Sequence, residues 1–220
     1  MGSEAHYAHQ VRKAVALVDR RVFLPEEHRR QAHCDMPLPI GYEATCSQPS
    51  TLEAMLQFLG VKPGDRVLDV GSGSGWSTAL LAHLVAGGEG GLGAAGGLGG
   101  EVIGVELAPE LVEFGQSNLA HWAEVREEHG LNGAAARIEP ATPGRLGMPE
   151  EGPFDRILVS ADAHCLPASL VDQLADGGRM VLPIRGRLAV VDKSEDGEIQ
   201  SREFGLFSFV PLRETGEPGD

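Results

Sequence analysis

Two segments in the first sixty residues place their leucine, valine and methionine side chains on one side of a helix. The first, residues 5–22, predicts a short amphipathic helix. The second, residues 51–59, predicts a helix with Ser50 as its N-cap that ends at Gly60. Between them, residues 35–41 contain two prolines, which forbid a regular helix and predict an extended loop.

From residue 66 onward, short apolar runs alternate with helical segments. The runs predict strands at residues 67–70, 102–106, 135–138, 154–160, 179–183, 188–191 and 204–210. The predicted helices cover residues 76–84, 109–129 and 167–174. A turn at residues 195–197 separates the last two runs. This alternation is typical of an α/β fold with a doubly wound, mainly parallel sheet and a hairpin-like end.

The chain length predicts one structural domain, because 220 residues of which 42% are hydrophobic bury a single core. We expect residues 1–60 to form an N-terminal helical and loop cap packed on a core of residues 61–213. Residues 87–100 are almost wholly glycine, alanine and leucine, and predict a flexible insert in that core. Residues 214–220 are expected to be a disordered tail.

Charge and cysteine content narrow the classes of partner. With 32 acidic and 18 basic residues the formal net charge is −14, which disfavours nucleic acid as a partner. The polar N-terminus resembles no secretory signal and no stretch is long enough to span a membrane, so we expect a cytoplasmic protein that does not bind membranes. Three cysteines without a CxxC pair predict reduced thiols and no metal site. A monomer is expected.

A glycine turn and an acidic residue follow the first two predicted core strands. Parallel strands bring their carboxyl ends to one edge of the sheet, where ligands bind. Glu106 lies 35 residues after Gly71, and leaving out the 14 residues 87–100 reduces this spacing to 21. That is close to the roughly 20 residues expected for a carboxylate that binds ribose hydroxyls. The pattern predicts a nucleoside-containing cofactor.

The glycine turn favours S-adenosylmethionine over a nicotinamide dinucleotide. Dinucleotide-binding turns have the form GxGxxG, whereas here Trp76 stands where the third glycine belongs. Asp69, just before the turn, would repel a pyrophosphate and attract the positively charged methionine end of S-adenosylmethionine. A nicotinamide oxidoreductase is the alternative that these residues oppose.

The sequence from Val67 to Gly75, VLDVGSGSG, resembles the first motif of the protein-L-isoaspartate O-methyltransferases. More specific similarities to that family lie outside this turn, at residues 18–25, 35–41, 45–49, 153–157, 177–183 and 209–212. The resemblance therefore spans about residues 15–213. It implies a Rossmann-like S-adenosylmethionine-dependent methyltransferase that methylates an isoaspartyl or aspartyl carboxylate of a protein or peptide. The methyl ester then leads to a succinimide, and S-adenosylhomocysteine is the second product.

The same resemblance implies roles for individual residues. Ser47 is expected beside the acceptor carboxylate, as the residue closest to a catalytic role. The residues expected to bind the cofactor are Thr45, Asp69, Gly71, Ser72, Gly73, Glu106, Leu107 and Ser160. The peptide channel is expected to include Ile40, Gly41, Ser47 and Val210. Without the resemblance, Ser47 is equally well a turn hydroxyl that bonds local backbone before Pro49.

Several departures from the family pattern leave alternatives open. The family usually has an acid that approaches the adenine, whereas Ala141-Thr142-Pro143-Gly144 contains none. Glu43 before Thr45 is also unusual. One alternative is a dedicated methyltransferase that acts on an aspartate of a ribosomally made peptide and leaves an aspartimide. Another is a module that binds the cofactor without turnover.

Overall fold

A seven-stranded sheet forms the centre of the computed structural model, which describes residues 2–87 and 100–213. The strands are β1 (Leu38–Gly41), β2 (Ala44–Cys46), β3 (Arg66–Val70), β4 (Glu101–Glu106), β5 (Ala135–Pro140), β6 (Phe154–Val159), β7 (Leu174–Ile184), β8 (Arg187–Lys193) and β9 (Ile199–Phe204). The sheet has the order β5-β4-β3-β6-β7-β8-β9. Strands β3 to β7 are parallel, and β8 and β9 are antiparallel to their neighbours. The predicted doubly wound, mainly parallel sheet with a hairpin-like end is confirmed.

The helices are α1 (Gly2–Leu17), α2 (Pro49–Leu59), α3 (Trp76–Val85), α4 (Pro109–Glu128) and α5 (Ala168–Val171). Helix α3 is buried along its whole length, since it lies between the sheet and the N-terminal segment. Strands β1 and β2 form a separate antiparallel hairpin. Residues 88–99, most of the predicted insert, and residues 214–220, the predicted tail, lie outside the described residues.

The N-terminal segment departs from the prediction at three points. Helix α1 ends at Leu17 instead of continuing to residue 22, and a 3₁₀ helix, Arg20–Phe23, follows it. The predicted extended loop is half of the β1–β2 hairpin. Ser50 is not an N-cap, because α2 begins at Pro49, two residues before the predicted start, and Gln48 is the N-cap; the backbone N–H of Ser50 donates to the Asp35 carboxylate at 2.9 Å. A side chain from the preceding loop therefore satisfies the helix terminus.

The end of the chain departs from the prediction because two glycines lie inside a strand. The predicted helix at 167–174 is only the four residues of α5, and β7 begins at Leu174. Gly177 has φ +75°, and a Cβ on Gly178 would lie 2.6 Å from the Ala175 carbonyl oxygen, so both glycines belong to an irregular stretch of the strand. The predicted strand at 204–210 is wrong: β9 ends at Phe204.

The core includes the predicted cap. Val11, Ala14 and Val18 are fully buried and pack in the same apolar cluster as Val67 of strand β3, inside the sheet. The Tyr7 hydroxyl accepts from the Val61 backbone N–H at 3.0 Å and lies 3.2 Å from the Leu56 carbonyl oxygen, to which it donates. The N-terminal segment is thus part of the hydrophobic core. In the part of the chain that the structure describes, no helix is long and apolar enough to cross a membrane.

Candidate active site

A cavity of about 1390 Å³ opens at the carboxyl ends of the central strands. Its walls come from the glycine turn after β3, the loops after β4 and β5, the β1–β2 hairpin and residues 206–213. Small-molecule pockets usually measure roughly 300–1,000 Å³. The cavity is therefore large enough for a cofactor together with part of a second molecule.

The glycine turn needs its glycines for backbone conformation. Gly71, Gly73 and Gly75 have φ values of +77°, +53° and +92°, in the left-handed region that side chains disfavour. Space is also tight, since a Cβ on Gly75 would lie 3.1 Å from Cδ1 of Ile138. The turn thus presents bare backbone, including Gly71 and Gly73, along one wall of the cavity.

Helix α4 supports the turn through two residues that the sequence did not single out. A Cβ on Gly115 would lie 3.0 Å from the Gly73 carbonyl oxygen and 2.7 Å from Cδ1 of Ile138. The buried Asn118 side chain donates to the Ser74 carbonyl oxygen at 3.0 Å. In the sequence, these two residues stand three apart in a predicted helix and so lie on one face of it. The sequence does not show which loop that face contacts, so their role could not be predicted.

Glu106 ends β4 at the cavity, where its carboxylate accepts three backbone hydrogen bonds. Oε1 accepts from Leu107 at 2.7 Å and from Ala108 at 3.1 Å, and Oε2 accepts from Gly73 at 2.9 Å. An ionised carboxylate offers about four acceptor sites, so one site on Oε2 remains. A pair of ribose hydroxyls fits this carboxylate if it releases one of the backbone N–H groups.

Asp69 lies beneath the turn and does not line the cavity. It is fully buried, and the hydroxyls of Ser77 and Thr78 both donate to its Oδ2 at 2.7 Å. Burial raises the pKa of this carboxyl to about 6; the two hydroxyl bonds lower it and the Glu106 charge raises it. Asp69 was expected to contact the methionine end of the cofactor directly. The structure instead places its carboxylate just behind the cavity wall.

Two serine hydroxyls supply unused polar atoms beside the turn. The Oγ atoms of Ser72 and Ser160 are buried, and neither has a hydrogen-bond partner among the described residues. Both serines line the cavity. Because buried polar atoms are nearly always paired, these hydroxyls fit a wall that binds a polar ligand. Leu107 lines the same part of the cavity and offers apolar contact.

The hairpin and the loop after it bring Ser47 and Thr45 to the cavity wall. Val210, in the segment after β9, lines the same cavity and is 38% exposed. Ile40 and Gly41 do not line the cavity: Ile40 is buried, and its Cδ1 lies where a Cβ on Gly73 would be only 3.1 Å away. The structure thus brings Thr45, Ser47 and Val210 to one cavity, whereas Ile40 lies behind its wall and Gly41 lies exposed near the hairpin tip, outside the cavity.

Arg20 organises the Ser47 segment from behind, which sequence analysis missed. The Arg20 residue is 4% exposed, and its guanidinium donates to the carbonyl oxygens of Cys46 at 2.9 Å and Ser47 at 2.8 Å. It also donates to backbone carbonyls in the preceding loop, at Ala32, Cys34 and Met36. The signal was an arginine inside an apolar segment, but its partners are backbone carbonyls of an irregular loop and of the end of β2, which no sequence pattern reveals.

Trp76 joins the N-terminal segment to the cofactor turn. Its indole Nε1 donates to the Val18 carbonyl oxygen at 3.0 Å, and the Arg20 guanidinium lies 5.2 Å from the ring centroid. A guanidinium over an indole face is attractive. The tryptophan that replaces the third glycine therefore has structural partners in the buried N-terminal segment, behind the cavity.

Residues 205–213, which we call the strap, form the outer wall of the cavity. Asp162, after β6, bonds the strap through its backbone: its N–H donates to Val210 and its carbonyl accepts from Leu212, both at 2.8 Å. The Phe207 N–H donates to Gly186 at 2.8 Å. Leu206 is 81% exposed, so the apolar residues that resembled a strand face the cavity and solvent.

Residues 141–144 line one end of the cavity and contribute no carboxylate to it. Thr142 and Arg145 line it, and Arg145 pairs with Glu150 at 2.9 Å. Within the described residues, no group of three histidine, cysteine or acidic side chains could hold a metal ion.

Comparisons with known proteins agree with this geometry. Residues 3–217 match the family model "Protein-L-isoaspartate(D-aspartate) O-methyltransferase". The chain is 41% identical over 214 residues to a protein-L-isoaspartate O-methyltransferase of Aeropyrum pernix, covering 96% of this chain and 74% of the relative. It is 40% identical over 216 residues to the Methanopyrus kandleri protein of the same name, covering 96% and 86% of the two chains.

A solved structure shares the architecture. It is a Plasmodium falciparum protein assigned as a protein-L-isoaspartate O-methyltransferase, in complex with S-adenosyl-L-homocysteine. The two chains are 27% identical with a TM-score of 0.73, and the match covers 94% of this chain and 91% of that one.

Proposed function

The chain belongs to the protein-L-isoaspartate(D-aspartate) O-methyltransferase family, and from this premise we propose how its cavity carries out methyl transfer from S-adenosylmethionine to a carboxylate of a protein. One observation carries the proposal: the cofactor turn, Glu106 and Ser47 line one continuous cavity. The cofactor end and the acceptor end are thus joined without an intervening wall.

The residues at the cofactor end match the chemistry of the donor. The backbone of Gly71 and Gly73 approaches it closely, Glu106 accepts ribose hydroxyls, and the Ser72 and Ser160 hydroxyls bond its polar atoms. Asp69 acts from behind the turn, where its negative charge favours the cationic methionine end across a short, poorly solvated distance. Thr45 and Leu107 complete this end.

At the acceptor end, the residues of the chain need only hold a carboxylate in line. S-adenosylmethionine supplies a methyl group that is already activated by the sulfonium charge, and a carboxylate is already ionised at neutral pH. No general base is needed, and rate enhancement comes from alignment and exclusion of water. The Ser47 hydroxyl donates a hydrogen bond to the acceptor carboxylate, and Val210 contributes an apolar part of the cavity wall. Arg20 fixes the Ser47 backbone.

The family acts on isoaspartyl protein substrates, and we propose that isoaspartate in proteins or peptides is the acceptor here. Residues 141–144 hold no acid for the adenine, so Thr142 and backbone groups take that part. A monomeric state and a cytoplasmic location remain predictions from the sequence.

Methyl transfer from labelled S-adenosylmethionine to two matched peptides tests this function, one containing isoaspartate and one aspartate. We expect transfer to the isoaspartyl peptide alone. Ser47→Ala should reduce kcat by about 10²-fold, as loss of a single aligned hydrogen-bond donor does, with cofactor affinity unchanged. Transfer to aspartate alone would favour the dedicated peptide methyltransferase, and cofactor binding without transfer to either peptide would favour a module without turnover.

A further inference from the structure

The tip of the β1–β2 hairpin has a costly backbone conformation. Gly41 pairs with Ala44, and the two residues between them, Tyr42 and Glu43, have φ values of +53° and +59°. Two-residue hairpin turns of this kind favour Asn-Gly or Gly-Gly because most side chains disfavour positive φ. Backbone strain of this sort persists where the surroundings impose it and is common at functional sites.

The strained residues stand at the rim of the cavity. Tyr42 is 56% exposed, and both Tyr42 and Glu43 line the cavity. The Glu43 carboxylate forms an ion pair with the Arg213 guanidinium, although 78% of the Glu43 side chain and 40% of the Arg213 side chain are exposed. The turn conformation therefore directs a solvated carboxylate toward the strap.

This ion pair connects two walls of the cavity that come from distant parts of the sequence. Glu43 belongs to the hairpin that precedes Thr45 and Ser47, and Arg213 ends the strap that carries Val210. Of the other charged residues lining the cavity, Arg145 already pairs with Glu150. The Glu43–Arg213 pair thus bridges the acceptor end of the cavity on its solvent side.

We propose that Glu43 and Arg213 are specificity-determining residues for the peptide, forming a charge bridge that opens to admit it and closes over its backbone. This inference rests on the proposed function, because it assigns the acceptor to the Ser47 end of the cavity. Exposed ion pairs contribute little free energy and are screened by salt. The bridge therefore opens readily, and closing it slows release of a bound peptide without contacting the transferred methyl group.

Charge reversal tests the bridge. At low ionic strength, Glu43→Arg or Arg213→Glu places like charges at the rim and should raise KM for the isoaspartyl peptide about fivefold, the size of effect expected for one exposed pair. The kcat and the dissociation constant of S-adenosylhomocysteine should not change. The double variant with both reversals should restore KM to within about twofold of wild type, and about 1 M salt should remove the difference between all variants.

The control is an ion pair of similar exposure outside the cavity. Glu203→Arg breaks the ion pair between Glu203 and Arg187. In this pair, Arg187 Nε and Glu203 Oε2 are 3.0 Å apart, and the Glu203 and Arg187 side chains are 53% and 48% exposed. This variant should have the wild-type KM, and melting temperatures of all variants show whether any change comes from lost stability. Unchanged KM in the single reversals, or no recovery in the double variant, would overturn the bridge. A wild-type protein that methylates neither peptide would instead reject the proposed function, and the bridge with it.

Discussion

At the scale of single residues, Arg20 donates to five backbone carbonyl oxygens, an arrangement that another side chain cannot reproduce. Arg20→Lys keeps the charge but loses the planar fork that reaches several carbonyls at once. We expect the free energy of unfolding to fall by on the order of 3 kcal/mol, since hydrogen bonds to charged groups are worth about 1.5–3 kcal/mol each. Denaturant titration measures this change.

Arg21→Lys is the matched control, because Arg21 is next in sequence and its side chain is 68% exposed, pairing with Asp19. It should change stability by less than about 0.5 kcal/mol. Equal losses in the two variants would contradict the role given to Arg20.

Asp69 predicts a pH dependence of stability. Its folded-state pKa is raised to about 6 by burial, above its unfolded value of 3.8, so the folded state carries a buried charge at neutral pH. As pH falls from about 7 toward 4, the folded state takes up a proton first and this unfavourable contribution disappears. The unfolding free energy of Asp69→Asn minus that of wild type should therefore be larger at pH 7.5 than at pH 5, by about 1.4 kcal/mol.

Unfolding free energies of both proteins at the two pH values measure that difference, and titration of the histidines cancels because both proteins share them. Parallel pH profiles would show that Asp69 titrates normally in the fold.

The roles of site residues were predictable from the sequence where backbone conformation or strand ends determine them. The glycines of the turn and Glu106 followed from strand ends and spacing, and all of them line the cavity or shape its wall. The depth of Asp69 was not predictable, because only the packing of α3 shows that Ser77 and Thr78 cover it. Ile40 was misplaced for the same reason: whether a side chain lines a channel or supports its wall depends on three-dimensional packing.

At the scale of elements, the approach of α4 to the cofactor turn depends on Gly115. Gly115→Ala should favour the isolated helix by about 1 kcal/mol. However, its Cβ would meet the Gly73 carbonyl oxygen at 3.0 Å and Ile138 at 2.7 Å, and backbone moves less readily than a side chain. We expect the clash to prevail and the dissociation constant of S-adenosylmethionine to rise at least about tenfold.

Isothermal titration calorimetry of S-adenosylmethionine measures the effect. Ser117→Ala, two residues further along the helix at an exposed position, is the control and should bind with wild-type affinity. Wild-type affinity in Gly115→Ala would show that the turn tolerates displacement.

The order of the elements could be predicted, but their ends near irregular segments could not. Periodicity identified the core strands and α4, because buried strands and amphipathic helices have distinct repeats. It misassigned residues 204–210, since an apolar strap over a cavity and an apolar strand look alike in sequence. It also placed Gly177 and Gly178 between the predicted helix at 167–174 and the predicted strand at 179–183, whereas they occupy an irregular stretch of β7.

At the scale of the whole molecule, the N-terminal segment should unfold together with the sheet. Fully buried side chains from α1 and from β3 belong to one apolar cluster, and Trp76 contacts both parts. We expect one cooperative transition, with coincident midpoints for tryptophan fluorescence and for circular dichroism of the sheet and helices. An earlier fluorescence transition would mean that residues 1–60 behave as a separable cap.

The strap makes the acceptor site depend on parts of the chain that are synthesised at different times. Residues 205–213 follow the last strand of the sheet, yet they form the outer wall of the cavity together with a hairpin that precedes the sheet. A nascent chain that has already exposed its cofactor turn and Ser47 still lacks one side of the acceptor site. Competence for methyl transfer therefore requires chain made after the last strand of the sheet, and chains that end before residue 205 should be unable to enclose a peptide.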